Sequence, residues 1–422
     1  MMGTRQSIGQ ISMFDTASDF IENTARQNAH LTYKYNTSMG RHGWLRLTPA
    51  YSVRMVESVL SELKYKPNCV LEPFSGTGTT ELVCADRGIM SVAYDINPFL
   101  AWFAGVKTRV YDISIPYALR SKATEIVNSL NEFAPVPYPP IAHIERWWGQ
   151  GQLSFLSKLK TGIWSVRNAD VRDLLKVAFC RILISISNAA FDHVSTSFND
   201  DKSEALFDES AAKQRFIEIC FSMAETLQVQ PSAAVRIYNA DSTALKEDGI
   251  RFDTVITSPP YPNRISYIRE LRPYMYWLDY LSSADEASDL DWATIGGTWG
   301  TATSRLSSWK AKTEAIPSYI LETADRIAEA DNKSAGLMAN YVLKYFDDMA
   351  LHFQTVFRHI ASGGTVHYIV GNSNFYGNTV PSERAYADML HSAGFVDAQY
   401  RVVRKRNCNK ALYEYLISAK KP

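Results

Sequence analysis

Two short clusters carry residue types that can do chemistry. The first runs Val70-Leu71-Glu72-Pro73-Phe74-Ser75-Gly76-Thr77-Gly78-Thr79-Thr80. A glycine pair directly after an apolar run lets backbone pass close to a ligand, because no Cβ intervenes. Asp95 follows nineteen residues after Gly76, at the end of the next apolar run. A carboxylate there can accept both hydroxyls of a ribose. The second cluster is Asp253-Thr254-Val255-Ile256-Thr257-Ser258-Pro259-Pro260-Tyr261. Its β-branched run ends in two prolines, which hold a stiff extended turn with no N–H to donate. The carbonyls of that turn stay behind as fixed acceptors, at the edge of a sheet where α/β proteins place their ligands. Each cluster alone has a plain structural reading: a glycine turn with a solvated aspartate, and a rigid strand-to-loop turn packed by Tyr261. Their co-occurrence in this order favours the chemical one.

The glycine loop suits a nucleoside-bearing cofactor, either a nicotinamide dinucleotide or S-adenosylmethionine. Two details favour the latter. Glu81 stands where the third glycine of a dinucleotide fingerprint would be. Glu72, at the strand end, would oppose a pyrophosphate but pair with a cationic methionine moiety.

Together the two clusters resemble the DNA amino-methyltransferases, which make N4-methylcytosine or N6-methyladenine. Pro73, Phe74, Gly76 and Gly78 match the family's cofactor loop, and Ser258, Pro259, Pro260 and Tyr261 its catalytic turn. Weaker matches are Tyr94-Asp95-Ile96-Asn97-Pro98 for the ribose segment and Asn239-Ala240-Asp241-Ser242 for the adenine segment. His42 to Pro49 matches a cofactor-contacting segment that precedes the loop. The resemblance covers about residues 42–107, 235–280 and 341–418. It implies S-adenosylmethionine as cofactor, held by Trp44, Thr48, Glu72, Pro73, Phe74, Gly76, Gly78, Thr79, Asp95, Ile96, Asp241 and Ser242. It implies double-stranded DNA as substrate and, within a restriction–modification or defence system, a cognate restriction endonuclease as partner.

The chemistry accounts for the turn. An exocyclic amine is a poor nucleophile because its lone pair is delocalised into the ring. Acceptors beside its N–H groups, here Ser258 Oγ and the Pro259 carbonyl, favour the pyramidal nitrogen and stabilise developing positive charge. Tyr261 would stack on a base flipped out of the duplex. A serine is neutral and can donate as well as accept, which favours cytosine N4 over adenine N6. The weaker alternatives are an RNA base methyltransferase, a non-catalytic nucleic-acid-binding protein and a nicotinamide dehydrogenase.

The elements that must position these residues read as an α/β, doubly wound Rossmann-like sheet with an inserted helical subdomain. Helix is expected over Pro49–Leu63, Thr79–Arg87, Tyr341–Ile360 and Glu383–Ala393. Strands are expected at Cys69–Leu71, Met90–Tyr94, from Val235, and at Thr254–Ile256, Thr365–Val370, Phe395–Val403 and Leu412–Ser418. The catalytic core is assigned to 42–110, 235–281 and 341–422, and an N-terminal arm to 1–41. Segment 111–234 reads as a helical insertion for target recognition. Segment 282–340 reads as a second insertion for DNA contact, irregular from about Ser282 to Ser318. About 180 residues separate Gly76 from Ser258 because of the first insertion. With the last strands near the chain's end, recognition is expected to fall to the insertions.

Arg264, Arg269 and Arg272, interleaved with Tyr267, Tyr274, Tyr276 and Trp277, read either as a DNA-facing helix or as an amphipathic helix whose aromatics are core. Arg401, Arg404, Lys405, Arg406 and Lys410 form a second basic cluster, for phosphates or for solvent. His193 beside Asp192 reads as a structural hydrogen bond.

Composition sets the bounds. The chain has 422 residues, 46% hydrophobic and 21% charged, with 44 basic and 44 acidic side chains. That excludes a disordered chain and one that coats nucleic acid by bulk charge, but not one with a local basic face. The five cysteines show no metal-ligand or disulfide spacing and read as small apolar residues in a reducing cytoplasm. No apolar run suggests a membrane span or a signal core.

Overall fold

The computed structural model describes residues 28–47, 50–190, 197–198, 207–246, 249–297, 301–406 and 411–422. Thr48, Pro49, His193, Cys408 and Lys410 lie outside them. Seven strands form one sheet: β1 (Cys69–Glu72), β2 (Met90–Asp95), β3 (Val235–Asn239), β4 (Phe252–Thr257), β5 (Ile360–Gly371), β6 (Val396–Lys405) and β7 (Tyr413–Lys420). Their order is β6-β7-β5-β4-β1-β2-β3. β3, β2, β1, β4 and β5 are mutually parallel, and β7 runs antiparallel between β5 and β6. This is the doubly wound, Rossmann-like sheet expected. The chain winds outward from β1 to β3, then returns to β4 on the other side of β1. That reversal opens a crevice at the carboxyl ends of β1 and β4, where the two chemical clusters begin.

Strand alternation builds a core on each face. Val70, Ile256, Ile369 and Leu416 pack against α1 (Val53–Glu62) and α2 (Thr79–Asp86). Leu71, Val255, Tyr368 and Ile417 pack against α11 (Ala335–His359) and α12 (Ser382–Ser392). A third core surrounds α3 (Pro98–Thr108). Around it pack α4 (Ile115–Asn128), α5 (Gln150–Trp164), α6 (Ala169–Ser185), α7 (Glu209–Thr226) and α8 (Tyr267–Trp277). Phe99 of α3 stacks on Tyr274 of α8 at 5.2 Å with the rings 2° apart. The described helices of segment 111–234 thus share one continuous core with α3 and α8. Each fully buried Leu or Phe there contributes roughly 1.5–3 kcal/mol.

Three local readings change. The helix expected from Pro49 starts at Val53, because Ser52 caps it by accepting from the Arg54 N–H. The strand expected from Thr365 begins at Ile360 and carries Gly363 and Gly364 within it; a Cβ on Gly364 would lie 2.9 Å from the Asp253 carbonyl. Segment 282–318 is not irregular throughout. α9 (Ala284–Ala293) starts where Ser283 Oγ accepts from the Glu286 N–H, a helix-start signature that its Trp- and Ser-rich composition obscured. A further helix, α10 (Ser318–Ala328), follows. Among the described residues no helix is long and apolar enough to cross a membrane.

Candidate active site

The glycine loop leaves β1 at Glu72. Gly76 and Gly78 take left-handed φ of 53° and 68°, which a side chain would disfavour. They serve different ends. Gly76 lines the cleft, and its N–H donates to Asp95 Oδ2 at 2.8 Å. Gly78 instead touches α3: a Cβ there would meet the Ala104 Cβ at 2.9 Å. Asp95 Oδ1 accepts from the Asn97 N–H at 2.8 Å. Asn97 in turn caps α3, accepting from Phe99 and Leu100. Burial pushes the Asp95 carboxyl up to about 7, against the two N–H bonds that favour its charged form. Each oxygen keeps a second lone pair for a hydroxyl donor.

The Ser258–Tyr261 turn leaves β4 one strand away. Ser258 Oγ lies 3.4 Å from Tyr261 Oη. The Pro260 carbonyl accepts from Tyr345 Oη at 2.7 Å, while no hydrogen bond reaches the Pro259 carbonyl among the described residues. Burial raises the Tyr261 phenol far above its usual range, so it stays protonated. The Arg406 guanidinium lies 5.1 Å from the Tyr261 ring centre and donates to the Asn372 carbonyl at 2.8 Å.

Both motifs open into one cleft of about 290 Å³. Pro73, Phe74, Gly76, Asp95, Ile96, Asp241 and Ser242 line it, as do Ser258, Pro259, Pro260 and Tyr261. Gly76's missing side chain and Asp95's spare lone pairs make one end suited to a ribose. Behind Ser242, the buried His352 ring bridges its carbonyl at 3.1 Å to Tyr368 Oη at 2.9 Å. Burial lowers His352 to about 4, so it bridges as a neutral ring.

Other expected residues lie elsewhere. Glu72 is fully buried and does not line the cleft. Its carboxylate accepts from Tyr51 Oη, Thr80 Oγ1, Thr257 Oγ1 and the Phe74 N–H, so it cannot meet a cationic ligand there. Trp44 is 2% exposed and donates to Thr226 Oγ1 at 2.9 Å, which places it against α7. Thr79 is buried at the start of α2. Sequence reasoning missed Leu31, Thr32, Tyr33 and Tyr51, which form a wall of the cleft from the segment ahead of β1. No local signal marks them; an isolated bridge between Thr32 and Tyr51 brings them together.

The arginines divide. Arg404 and Arg406 line the cleft, and Arg264 is exposed beside the catalytic turn. Arg404 forms a two-bond pair with Glu414, each bond 2.7 Å. Arg269 lies 3.8 Å from Glu270, and Arg272 lies over Trp147 at 5.3 Å. Neither lines the cleft. Tyr274, Tyr276 and Trp277 are buried in the α3–α8 core, as the amphipathic reading of that helix had it. Arg401 pairs with Glu62 at 2.7 Å.

No family model matches the chain. It is similar to the Type II methyltransferase M.BsoBI of Geobacillus stearothermophilus, 23% identical, covering 93% of this chain and 86% of the relative. It is likewise similar to the Type II methyltransferase M.AvaI of Nostoc, 21% identical over 86% of this chain and 81% of the relative. A shorter stretch is 33% identical to the Type II methyltransferase M.MjaII of Methanocaldococcus jannaschii, over 19% of this chain and 15% of that protein. A solved rRNA methyltransferase, aviRa of Streptomyces viridochromogenes, aligns over 88% of this chain and 86% of its own, with 11% identity and a TM-score of 0.29. That superposition is too loose to carry an argument.

Proposed function

We propose that this protein is a cytoplasmic, S-adenosylmethionine-dependent DNA methyltransferase that modifies an exocyclic amine, with cytosine N4 as its target, in a restriction–modification system. The observation that carries the reading is the single cleft into which Gly76 and Asp95 open from β1 and β2 and the Ser258–Tyr261 turn opens from β4. Near full-length similarity to two Type II methyltransferases supports it.

S-adenosylmethionine, when bound, supplies an electrophilic methyl group. Asp95 would accept the ribose hydroxyls, Ile96 would pack on the adenine, and Asp241 and Ser242 would contact its edge. Ser258 Oγ and the Pro259 carbonyl would accept the two N–H bonds of the target amine and turn its lone pair toward the methyl carbon. The amine's N–C bond would form as the methyl–sulfur bond of the sulfonium breaks, leaving a neutral thioether, and the amine's surplus proton would pass to solvent. Tyr261 would hold the flipped base by stacking, worth roughly 1–3 kcal/mol. Arg264, Arg404 and Arg406 would meet the DNA backbone around the cleft mouth.

The test is transfer of a labelled methyl group from S-adenosylmethionine by the purified protein to double-stranded DNA, denatured DNA and RNA. Label in a base of double-stranded DNA is expected. Label confined to RNA would overturn the substrate, and label in no nucleic acid would overturn the activity.

A further inference from the structure

We propose that Tyr345 is a positioning residue for the catalytic turn: its hydroxyl fixes the Pro260 carbonyl and so leaves the Pro259 carbonyl as the turn's open acceptor. The inference rests on the reading of the turn as the methyl-transfer site.

Tyr341 and Tyr345 stand four residues apart on α11, a 25-residue helix, and so share one face. They are 1% and 0% exposed. Tyr345 Oη donates to the Pro260 carbonyl at 2.7 Å, and Tyr341 Oη accepts from the Arg264 N–H at 3.2 Å. Residues 260 and 264 bracket the loop that presents Tyr261. Both ends of that loop are therefore pinned to one rigid helix that crosses the sheet face beneath it. The direction of the next bond follows from the donor count. A phenol has one proton, and the Pro260 carbonyl has none to give. Tyr345 spends its proton on Pro260, so Tyr386 Oη donates to Tyr345 Oη, 2.5 Å away.

Two proline carbonyls emerge from a turn that has no proline N–H to satisfy. Only one of them can face the amine. Occupying Pro260 settles the orientation of the Pro260–Tyr261 peptide plane, and with it the ring of Tyr261. Tyr345 is buried behind the turn and does not line the cleft, so its influence passes through Pro260.

The test compares Tyr345→Phe with Tyr386→Phe in the full-length protein. Both delete one buried hydroxyl from the same chain of bonds, so both should lower thermal stability, Tyr345→Phe by more because it removes two of those bonds and Tyr386→Phe one. Only Tyr345→Phe frees the turn. It should lower kcat by about tenfold or more while leaving KM for DNA and the affinity for S-adenosylmethionine within about twofold. Tyr386→Phe should keep kcat within about twofold. Amide hydrogen exchange at Tyr261, Asn263 and Arg264 gives a second readout that needs no activity: Tyr345→Phe should speed it, and Tyr386→Phe should not. Equal effects of the two variants on kcat and exchange, or none from either, would overturn the proposal. If the wild-type protein transfers no methyl group, the functional reading fails, and exchange alone decides the clamp.

Discussion

Thr257, the last residue of β4, donates its hydroxyl to the carboxylate of Glu72, the last residue of β1. The two strands that flank the crevice are thereby latched at the level where the cofactor loop and the catalytic turn depart. Glu72 also accepts from Tyr51, Thr80 and the Phe74 N–H, so one buried carboxylate ties β1, β4, α2 and the segment before α1. Burial, and next the nearby Glu81, raises its pKa, and the bonds from Thr257, Thr80 and the Phe74 N–H oppose that. Thr257→Val keeps the shape and removes one donor. It should cost about 1–3 kcal/mol in denaturant unfolding, the range for leaving a buried polar group short of a partner, and Glu72→Ala should cost more.

Asp95 links binding to pH. Its folded pKa is raised to about 7 by burial. A raised carboxyl favours the protonated folded state, so that stabilisation is present below the unfolded pKa and is lost as pH rises to about 7. Cofactor binding needs the carboxylate as acceptor. Affinity for S-adenosylmethionine should therefore rise with pH, by up to about tenfold per unit, and level off above about 7. Calorimetric titration should show the slope in wild type and lose it in Asp95→Asn. Glu81, also raised to about 7 chiefly by burial, lies close enough to share the window. The slope should survive Glu81→Gln.

The two glycines of the loop should fail differently. Gly78→Ala adds a Cβ 2.9 Å from Ala104 at a φ of 68°. The backbone strain and the overlap with α3 should together cost about 2–4 kcal/mol, measured as a fall in unfolding free energy. Gly76→Ala meets nothing nearer than the Phe74 carbonyl at 3.8 Å, so its cost should be smaller and fall on cofactor affinity.

Gly371 keeps Arg406 over Tyr261. A Cβ there would come within 2.4 Å of Arg406 Nη1 and 3.0 Å of Tyr261 Cδ2. The guanidinium is the mobile end of a long side chain and can swing away at little cost. Gly371→Ala should therefore lower methyl transfer and DNA affinity by several-fold while unfolding free energy changes by less than about 1 kcal/mol. A loss of stability as large as that of Gly78→Ala would contradict this role for the glycine.

The strand ends were legible because β-branched runs meet glycine or proline there, and those residue types act locally. That placed Gly76, Asp95 and Ser258–Tyr261 around one cleft. Glu72 was misread for the opposite reason. Whether a strand-end carboxylate faces ligand or interior depends on Thr257 and Tyr51, which are distant in sequence. Trp44 failed likewise, since its partner Thr226 lies 182 residues away. The tyrosines of α11 carry no local mark, because they act on the turn from a helix that looks like ordinary core. Segment 282–318 reads as irregular in sequence because its Trp and Ser content hides the cap at Ser283.

The proposed activity is methyl transfer to a base amine held by Ser258 and Tyr261. Nucleoside mass spectrometry of DNA from cells expressing the protein, beside cells expressing Ser258→Ala, tests it most directly. N4-methylcytosine should appear with the wild-type protein and fall by about a hundredfold or more in the variant, whose S-adenosylmethionine binding stays nearly intact. N6-methyladenine in place of N4-methylcytosine would contradict the choice of base. Methylation undiminished in Ser258→Ala, or no methylated base in either DNA, would contradict the account itself.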